Sequence, residues 1–253
     1  MAAEPNARPI TPGVDSARRV LQVLLMFSED RPKLTVEEVV KATGISMPSA
    51  YRYLSLLKEL DLVEEKSYSR YALTPKLLAL GRAAESAFAE SFAIRPVLSE
   101  LSALSGESAL VMRRLRDSAV CADLIESNHT VRLSFTVGHT LPLHRGAAAK
   151  VLLAEMGEAW CDAYITRNEP DFAEQERRRL LHELALIRER GWAQSASEVD
   201  EGIWAVAAPI RSGGRAVAAV TVAGPRYRID PDQAQSIHTH VLAAAAKLSQ
   251  HAS

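Results

Sequence analysis

Between residues 14 and 75 the apolar positions fall into three runs of helical period followed by a stretch of alternation. In VDSARRVLQVLLMFSE, Val20, Leu21, Val23, Leu24 and Phe27 recur every three or four positions, which predicts an amphipathic helix. RPKL interrupts it. TVEEVVKATG follows, with Thr35 and Glu38 at the spacing where each side chain caps the other's backbone N–H. Gly44 suits the left-handed position that ends a helix. Ser46 is placed to cap the next one, and Pro48 falls in its first turn, where the missing N–H costs little. Ala50, Leu54 and Leu57 share one face of that helix, with Leu60 near it. LVEEKSYSRYALTP then predicts two short strands, about 62–65 and 70–73, joined by a polar tip.

Helix, short helix, three-residue turn, helix and hairpin is the order of a winged helix-turn-helix. The same order fits a small helical subdomain with a structural hairpin, and the pattern alone leaves both open. Residues 76–92 predict a linker helix with Leu77, Leu78, Leu80 and Phe88 as apolar contacts, packed either on a second copy or on its own domain.

From 93 onward the periodicity changes. IRPVLSELSALSGE predicts an amphipathic helix, and strands near 108–115 and 119–126 predict a hairpin turning at Arg116–Ser118. VRLSFTV alternates and predicts a third strand. Further helices, a tight hairpin at Ser212–Gly214 and a closing helix complete the chain. The expected fold is α+β: a disordered arm at 1–13, a winged helix-turn-helix at 14–75, the linker helix, and an α/β sensor domain at 93–253.

Composition narrows the function classes only slightly. The chain has 253 residues, 47% hydrophobic and 24% charged, which is ordinary for a globular protein. A formal net charge of −1 does not suggest bulk nucleic-acid binding, although a local basic surface fits inside a neutral total. Residues 14–82 are slightly positive, with eleven Lys/Arg against nine Asp/Glu, so placement matters more than the total. Two cysteines, Cys121 and Cys161, without CxxC spacing predict neither a zinc site nor a disulfide framework. The opening MAAEPNARPITPG lacks the apolar core of a signal peptide, and no apolar run spans a bilayer, so a cytoplasmic protein without membrane contact is expected.

No motif of a hydrolase, metalloprotease, P-loop or dinucleotide site is present. His139 and His144 flank LPL without a third ligand, so no metal and no cofactor are expected. Cys121 among apolar residues reads as a small core residue, and Asp200-Glu201 as a solvated turn. An enzyme or redox sensor built on Cys121, His139, His144 and that turn is the competing reading. In HRGAAAKV a His-Arg pair leads into a helix start lined by Gly146, Ala147, Ala148 and Ala149. Free N–H groups and the helix dipole favour an anion at such a start, and Arg145 adds a donor. Close packing of a helix on a sheet calls for the same small residues.

These segments resemble, in order and spacing, the IclR family of bacterial transcriptional regulators, from about Val14 to Leu248. The stretches that carry the likeness are VDSARRVLQVL, TVEEVVKATGIS, AYRYLSLLKELDLVE and YALTPKLLALG, then VGHTLPLHRGAAAKVLLAEM, GWAQSASEVDEGIWAVAAPI and AVTVAGP. The resemblance implies a homodimer or homotetramer that binds double-stranded operator DNA. It also implies a GAF-like domain that senses a small organic acid, with no enzymatic activity and no implied sign of regulation. Arg52 matches the recognition-helix arginine, and Ser49 and Tyr51 match positions that face DNA. Met47 and Pro48 depart from the usual polar or basic residues. The expected DNA-contacting set is completed by Arg18, Arg19, Thr35, Ser46, Lys58, Lys66 and Arg70. Ala147 and Ala148 match the helix start that faces the effector, and Thr221 matches a strand hydroxyl. Ala205 and Ala223 stand where some relatives carry Ser or Cys. Met112, Cys121, Phe135, Leu141, Leu143, His144, Arg145, Gly146, Ile203, Trp204 and Ala205 complete the expected effector-facing set, an apolar pocket suited to an aromatic acid.

Overall fold

A computed structural model describes residues 11–28, 31–67, 69–89, 94–131, 133 and 135–251. The chain divides into two compact units, Met1–Ala84 and Glu85–Ser253. The expected arm lies outside the described residues except for 11–13, as does the side chain of Phe88.

In the first unit, helix α1 (Asp15–Leu24) precedes a short strand β1 (Lys33–Thr35), helix α2 (Val36–Thr43), helix α3 (Met47–Glu59) and the hairpin β2 (Val63–Ser67) and β3 (Arg70–Leu73). The capping box forms: Glu38 N–H donates to Thr35 Oγ1 at 3.2 Å, and Thr35 N–H to Glu38 Oε2 at 2.7 Å. Gly44 ends α2 at φ 68°, its N–H bonded to the Val40 carbonyl. Val23, Leu34, Val39, Ala50, Leu54, Leu57 and Tyr71 close one core. Two expectations change here. RPKL is not simply a break, because its last residues form β1, which pairs antiparallel with β3 and gives the order β1-β3-β2. Leu21 lies off the core side of α1 and is 56% exposed, whereas Val20, Val23 and Phe27 are buried and Leu24 packs partly against the core.

The linker segment contains helix α4 (Lys76–Ala89). The second unit begins with α5 (Ile94–Ser105) and the hairpin β4 (Ser108–Leu115) and β5 (Ser118–Ile125). Then come β6 (Thr140–Pro142), α6 (Ala147–Ala154), α7 (Glu158–Asn168), α8 (Glu174–Arg190), β7 (Ala193–Ala196), β8 (Ile203–Ser212), β9 (Arg215–Pro225) and α9 (Pro231–His251). The six strands form one antiparallel sheet in the order β6-β5-β4-β9-β8-β7.

Helices cover both faces, and strand parity decides which residue meets which core. Ala109, Val111, Val206, Ala208, Val220 and Val222 face α5 and α9. Leu110, Met112, Cys121, Ala207, Ala219 and Ala223 face α6, α7 and α8. The alternating VRLSFTV is not a strand at any of its described residues; the third strand is β6, further on. Leu133 and Phe135 are instead partly buried against the core beneath α6.

Candidate functional site

On α3, Ala50, Leu54 and Leu57 are buried, and the helical period puts Pro48, Arg52 and Ser55 on the opposite face. Met47 and Tyr51, 40% and 43% exposed, flank that face. Ser46 occupies the N-cap position without capping: its hydroxyl bonds Ser49 Oγ at 3.0 Å and makes no bond to a backbone N–H. Arg52 Nη2 donates to the same Ser49 oxygen at 3.2 Å. Ser46, Ser49 and Arg52 therefore form a relay along the first turns of α3, and it holds the guanidinium near the helix start. Ser55 shares this face and was absent from the expected set; only the face assignment reveals it.

The other expected cations are scattered. Lys58 pairs with Glu65 at 3.1 Å and Lys66 with Glu64 at 2.8 Å. Lys58 also sits roughly 16 Å along the axis from Met47, at 1.5 Å per residue. Arg18 is held by Asp15 at 3.8 Å and the Thr11 carbonyl at 2.9 Å, while Arg19 and Arg70 are exposed. Thr35 serves α2 as its cap.

The second unit contains a largely apolar cavity of about 510 Å³, its open mouth included. The central strands supply one wall: Leu110 and Met112 from β4, Thr221 and Ala223 from β9, Ile203 and Ala205 from β8. Ala205 stands opposite Ala223 across the β8–β9 ladder, so two small side chains leave the space that larger ones would fill. The N-terminus of α6 brings Gly146, Ala147 and Ala148; Ser195, Val199 and Asp200 close the opposite side; Leu133, Phe135 and Leu141 complete the lining. Gly146 has φ 86°, and a Cβ there would lie 2.8 Å from Val199 Cγ2, so glycine is needed on both counts.

Of the expected effector-facing residues, Met112, Phe135, Leu141, Gly146, Ala147, Ala148, Ile203, Ala205 and Thr221 line this cavity. Five do not. Trp204 follows strand parity to the other face and packs with Val206 and Ile210 beneath α9. Cys121 and Leu143 are buried in the core behind the lining. His144 and Arg145 face an outer polar cleft shared with Lys150, Glu169, Glu183 and Glu198. Beneath His144, the buried Tyr164 Oη accepts the Leu143 N–H at 2.9 Å and meets His144 Nδ1 at 3.1 Å, with His144 Nε2 3.4 Å from Glu169. Burial lowers the His144 pKa against the opposing pull of Glu169.

The start of α6 is not free. Gly146 N–H donates to Glu198 Oε2 at 2.9 Å and Ala147 N–H to Ser195 Oγ at 3.0 Å. Lys150, 2% exposed, bridges Glu198 at 2.6 Å and Glu183 at 2.5 Å, and Arg145 Nε holds the Glu198 carbonyl at 3.0 Å. The two N–H groups expected to meet a ligand anion are thus bonded to the protein's own side chains. Glu198 lies 52 residues from Gly146, and no local pattern announces the pairing.

Two family models match the chain: the IclR helix-turn-helix domain over residues 16–67, and the bacterial transcriptional regulator IclR C-terminal domain over residues 91–250. The chain belongs to the IclR family. Among its relatives, the regulator KipR of Bacillus subtilis is 28% identical, with 90% of this chain and 93% of that protein covered. XynR of Escherichia coli is 26% identical, with 94% and 97% covered. An IclR transcriptional regulator from Alicyclobacillus acidocaldarius has the same fold at a TM-score of 0.78 and 25% identity, covering 96% of this chain and 100% of that one. An IclR homologue from Microbacterium hydrocarbonoxydans, solved with 4-hydroxybenzoate, superposes at a TM-score of 0.78 with 18% identity over 94% and 99% of the two chains.

This IclR-family protein is a transcriptional regulator with a DNA-binding helix-turn-helix, and it is not an enzyme. The competing chemistry has no support in the site. Burial, then the Asp123 charge, pushes the Cys121 thiol up to about 12, so it is protonated and unreactive at neutral pH. Burial likewise raises Cys161, whose thiol donates to the Leu153 carbonyl at 3.2 Å. No three metal-binding side chains gather among the described residues, and no helix among them is long and apolar enough to cross a membrane.

Proposed function

We propose that this chain is a ligand-responsive regulator that binds operator DNA as a dimer or tetramer through the first turns of α3. We further propose that it is modulated by a small organic effector in the cavity beneath α6. The observation that carries the DNA-binding half is the exposed relay Ser46–Ser49–Arg52. It presents an arginine with most of its donors free at a helix start that no protein side chain caps. Arginine at such a place matches guanine O6 and N7 in the major groove. The free N–H groups of the first turn suit a phosphate. Met47, Pro48 and Tyr51 are exposed on the same helix and extend the contact set. Met47 and Pro48 offer apolar contact to thymine methyl groups.

The effector half rests on the enclosed apolar wall of β4, β9 and β8. A homologue of the same fold holds 4-hydroxybenzoate, which supports an effector of single-ring size here. The effector acts by preferring one arrangement of the oligomer, because a ligand shifts an equilibrium only through differential affinity. The test is selection of duplexes from a random pool by the full chain, followed by anisotropy titration of the enriched sequence across salt concentrations. Enrichment of one sequence and a steep fall of affinity with salt are expected. Failure to enrich any sequence, or binding indifferent to salt, overturns the reading.

A further inference from the structure

Glu107 stands between α5 and β4 and is 4% exposed. Its backbone is fixed on both sides. Its N–H donates to Ser105 Oγ at 3.2 Å, and its carbonyl accepts from Ser102 Oγ at 2.8 Å. The carboxylate packs against Gly224 of β9, where a Cβ would collide with it. Gly224 adjoins Ala223, a residue of the cavity wall. Just after β9, Arg228 meets the same carboxylate as a fork, with Nε on Oε1 at 2.6 Å and Nη2 on Oε2 at 2.7 Å.

The fork leaves Nη1 over. It donates to the Val131 carbonyl at 3.0 Å and to Tyr227 Oη at 3.2 Å. Val131 belongs to the stretch joining β5 to β6, and Leu133 and Phe135, two and four positions further on, line the cavity. That stretch is fastened near one end by the Ser127 N–H on Ser108 Oγ at 3.0 Å. Near the other, the Gly138 N–H meets the Cys121 carbonyl at 2.8 Å. Arg228 ties it in between. One planar guanidinium thus joins a buried carboxylate to the backbone that leads into two cavity residues. A lysine does not hold this geometry, because its ammonium is a point charge on a flexible stem with no fork to share.

We propose that Arg228 is a positioning residue for the effector: through the Val131 carbonyl it sets Leu133 and Phe135 against the cavity before a ligand arrives. A wall ordered in advance costs the ligand less to bind. The inference rests on the cavity being the effector site. The experiment places a reporter thiol in the wall of the full chain, Leu133→Cys, and follows its alkylation by iodoacetamide. The natural Cys121 and Cys161 are each 1% exposed and add little background. Arg228→Lys keeps a cation for Glu107 but loses the shared fork, and should speed alkylation about tenfold. Glu107→Met combined with Arg228→Met leaves no buried charge unpaired, and should do the same if the lysine variant does not fold. Arg211→Lys alters the forked Arg211–Glu155 pair, which does not line the cavity, and should leave the rate unchanged. Equal rates with and without Arg228 overturn the proposal, as does equal acceleration by Arg211→Lys. The ligand probe is 4-hydroxybenzoate. It should slow alkylation, and half-protection should need about fivefold more of it in Arg228→Lys. An unchanged half-protecting concentration overturns the effector role of Arg228. No protection in either protein overturns the single-ring reading of the cavity, while the alkylation rates still decide whether Arg228 holds its wall.

Discussion

Helices α3 and α6 each follow a glycine with positive φ, Gly44 at 68° and Gly146 at 86°, yet their starts have opposite surroundings. The first turn of α3 holds no acidic residue, and its N-cap side chain makes no capping bond. The first N–H groups of α6 are taken by Glu198 and Ser195. The difference follows burial. Ser46, Met47 and Pro48 are exposed, so water satisfies that start until a partner arrives; Ala147, Ala148 and Ala149 are buried, and a buried start must find its acceptors inside the protein. Small residues before a helix therefore do not by themselves mark a ligand site. The paired N–H groups of Gly146 and Ala147 stand at a cavity wall, whereas the start of α3 is open to solvent.

Removing the lysine that holds the closed start should have the largest effect. Lys150→Met leaves Glu183 and Glu198 facing each other without their cation. Breaking a buried pair costs about 3–5 kcal/mol, and about 2–3 kcal/mol is expected because both glutamates are one-third exposed. Urea denaturation reads this directly, and an unchanged midpoint would show that α6 is held by other contacts. At the open start, Arg52→Ala should weaken operator binding by about 2 kcal/mol, roughly thirtyfold, with folding stability changed by less than about 0.5 kcal/mol. Full operator affinity in that variant would remove α3 from the interface.

Ser49→Ala should cost about 1 kcal/mol of operator affinity, since it frees the Arg52 guanidinium without deleting it. The loss should fall on the ratio of specific to non-specific binding and leave the salt slope alone; equal losses on both duplexes would reduce Ser49 to a phosphate contact. The smallest effect concerns pH. Burial lowers the pKa of His144 in the folded protein, so the unfolded chain takes up the proton first as pH falls below about 6.5. Stability should drop from that point until the folded value is passed. The loss in melting temperature between pH 7 and pH 5.5 should be smaller in His144→Gln. His238, also lowered by burial, is common to both proteins and drops out of the comparison.

Local chemistry made much of the first unit legible. The Thr35–Glu38 box, Gly44 and the Ala50–Leu54–Leu57 face each depend on residues within one or two turns. β1 escaped notice because three residues give no period, and its partner β3 lies more than 30 positions away. In the second unit the cavity wall was legible wherever strand parity was read correctly. Trp204 shows the failure: it neighbours Ile203 and Ala205 in sequence and faces the other core. VRLSFTV alternates in sequence, yet none of its described residues is in a strand. Glu198 was illegible in principle, since its role exists only once β7 and α6 are side by side.

The sheet of the second unit tapers toward its margins. The inner strands β4, β5, β8 and β9 run for 8 to 11 residues, whereas the outermost β6 and β7 have three and four. Short outer strands offer another chain few unpaired amides to extend. The short margins thereby limit runaway stacking of copies strand on strand.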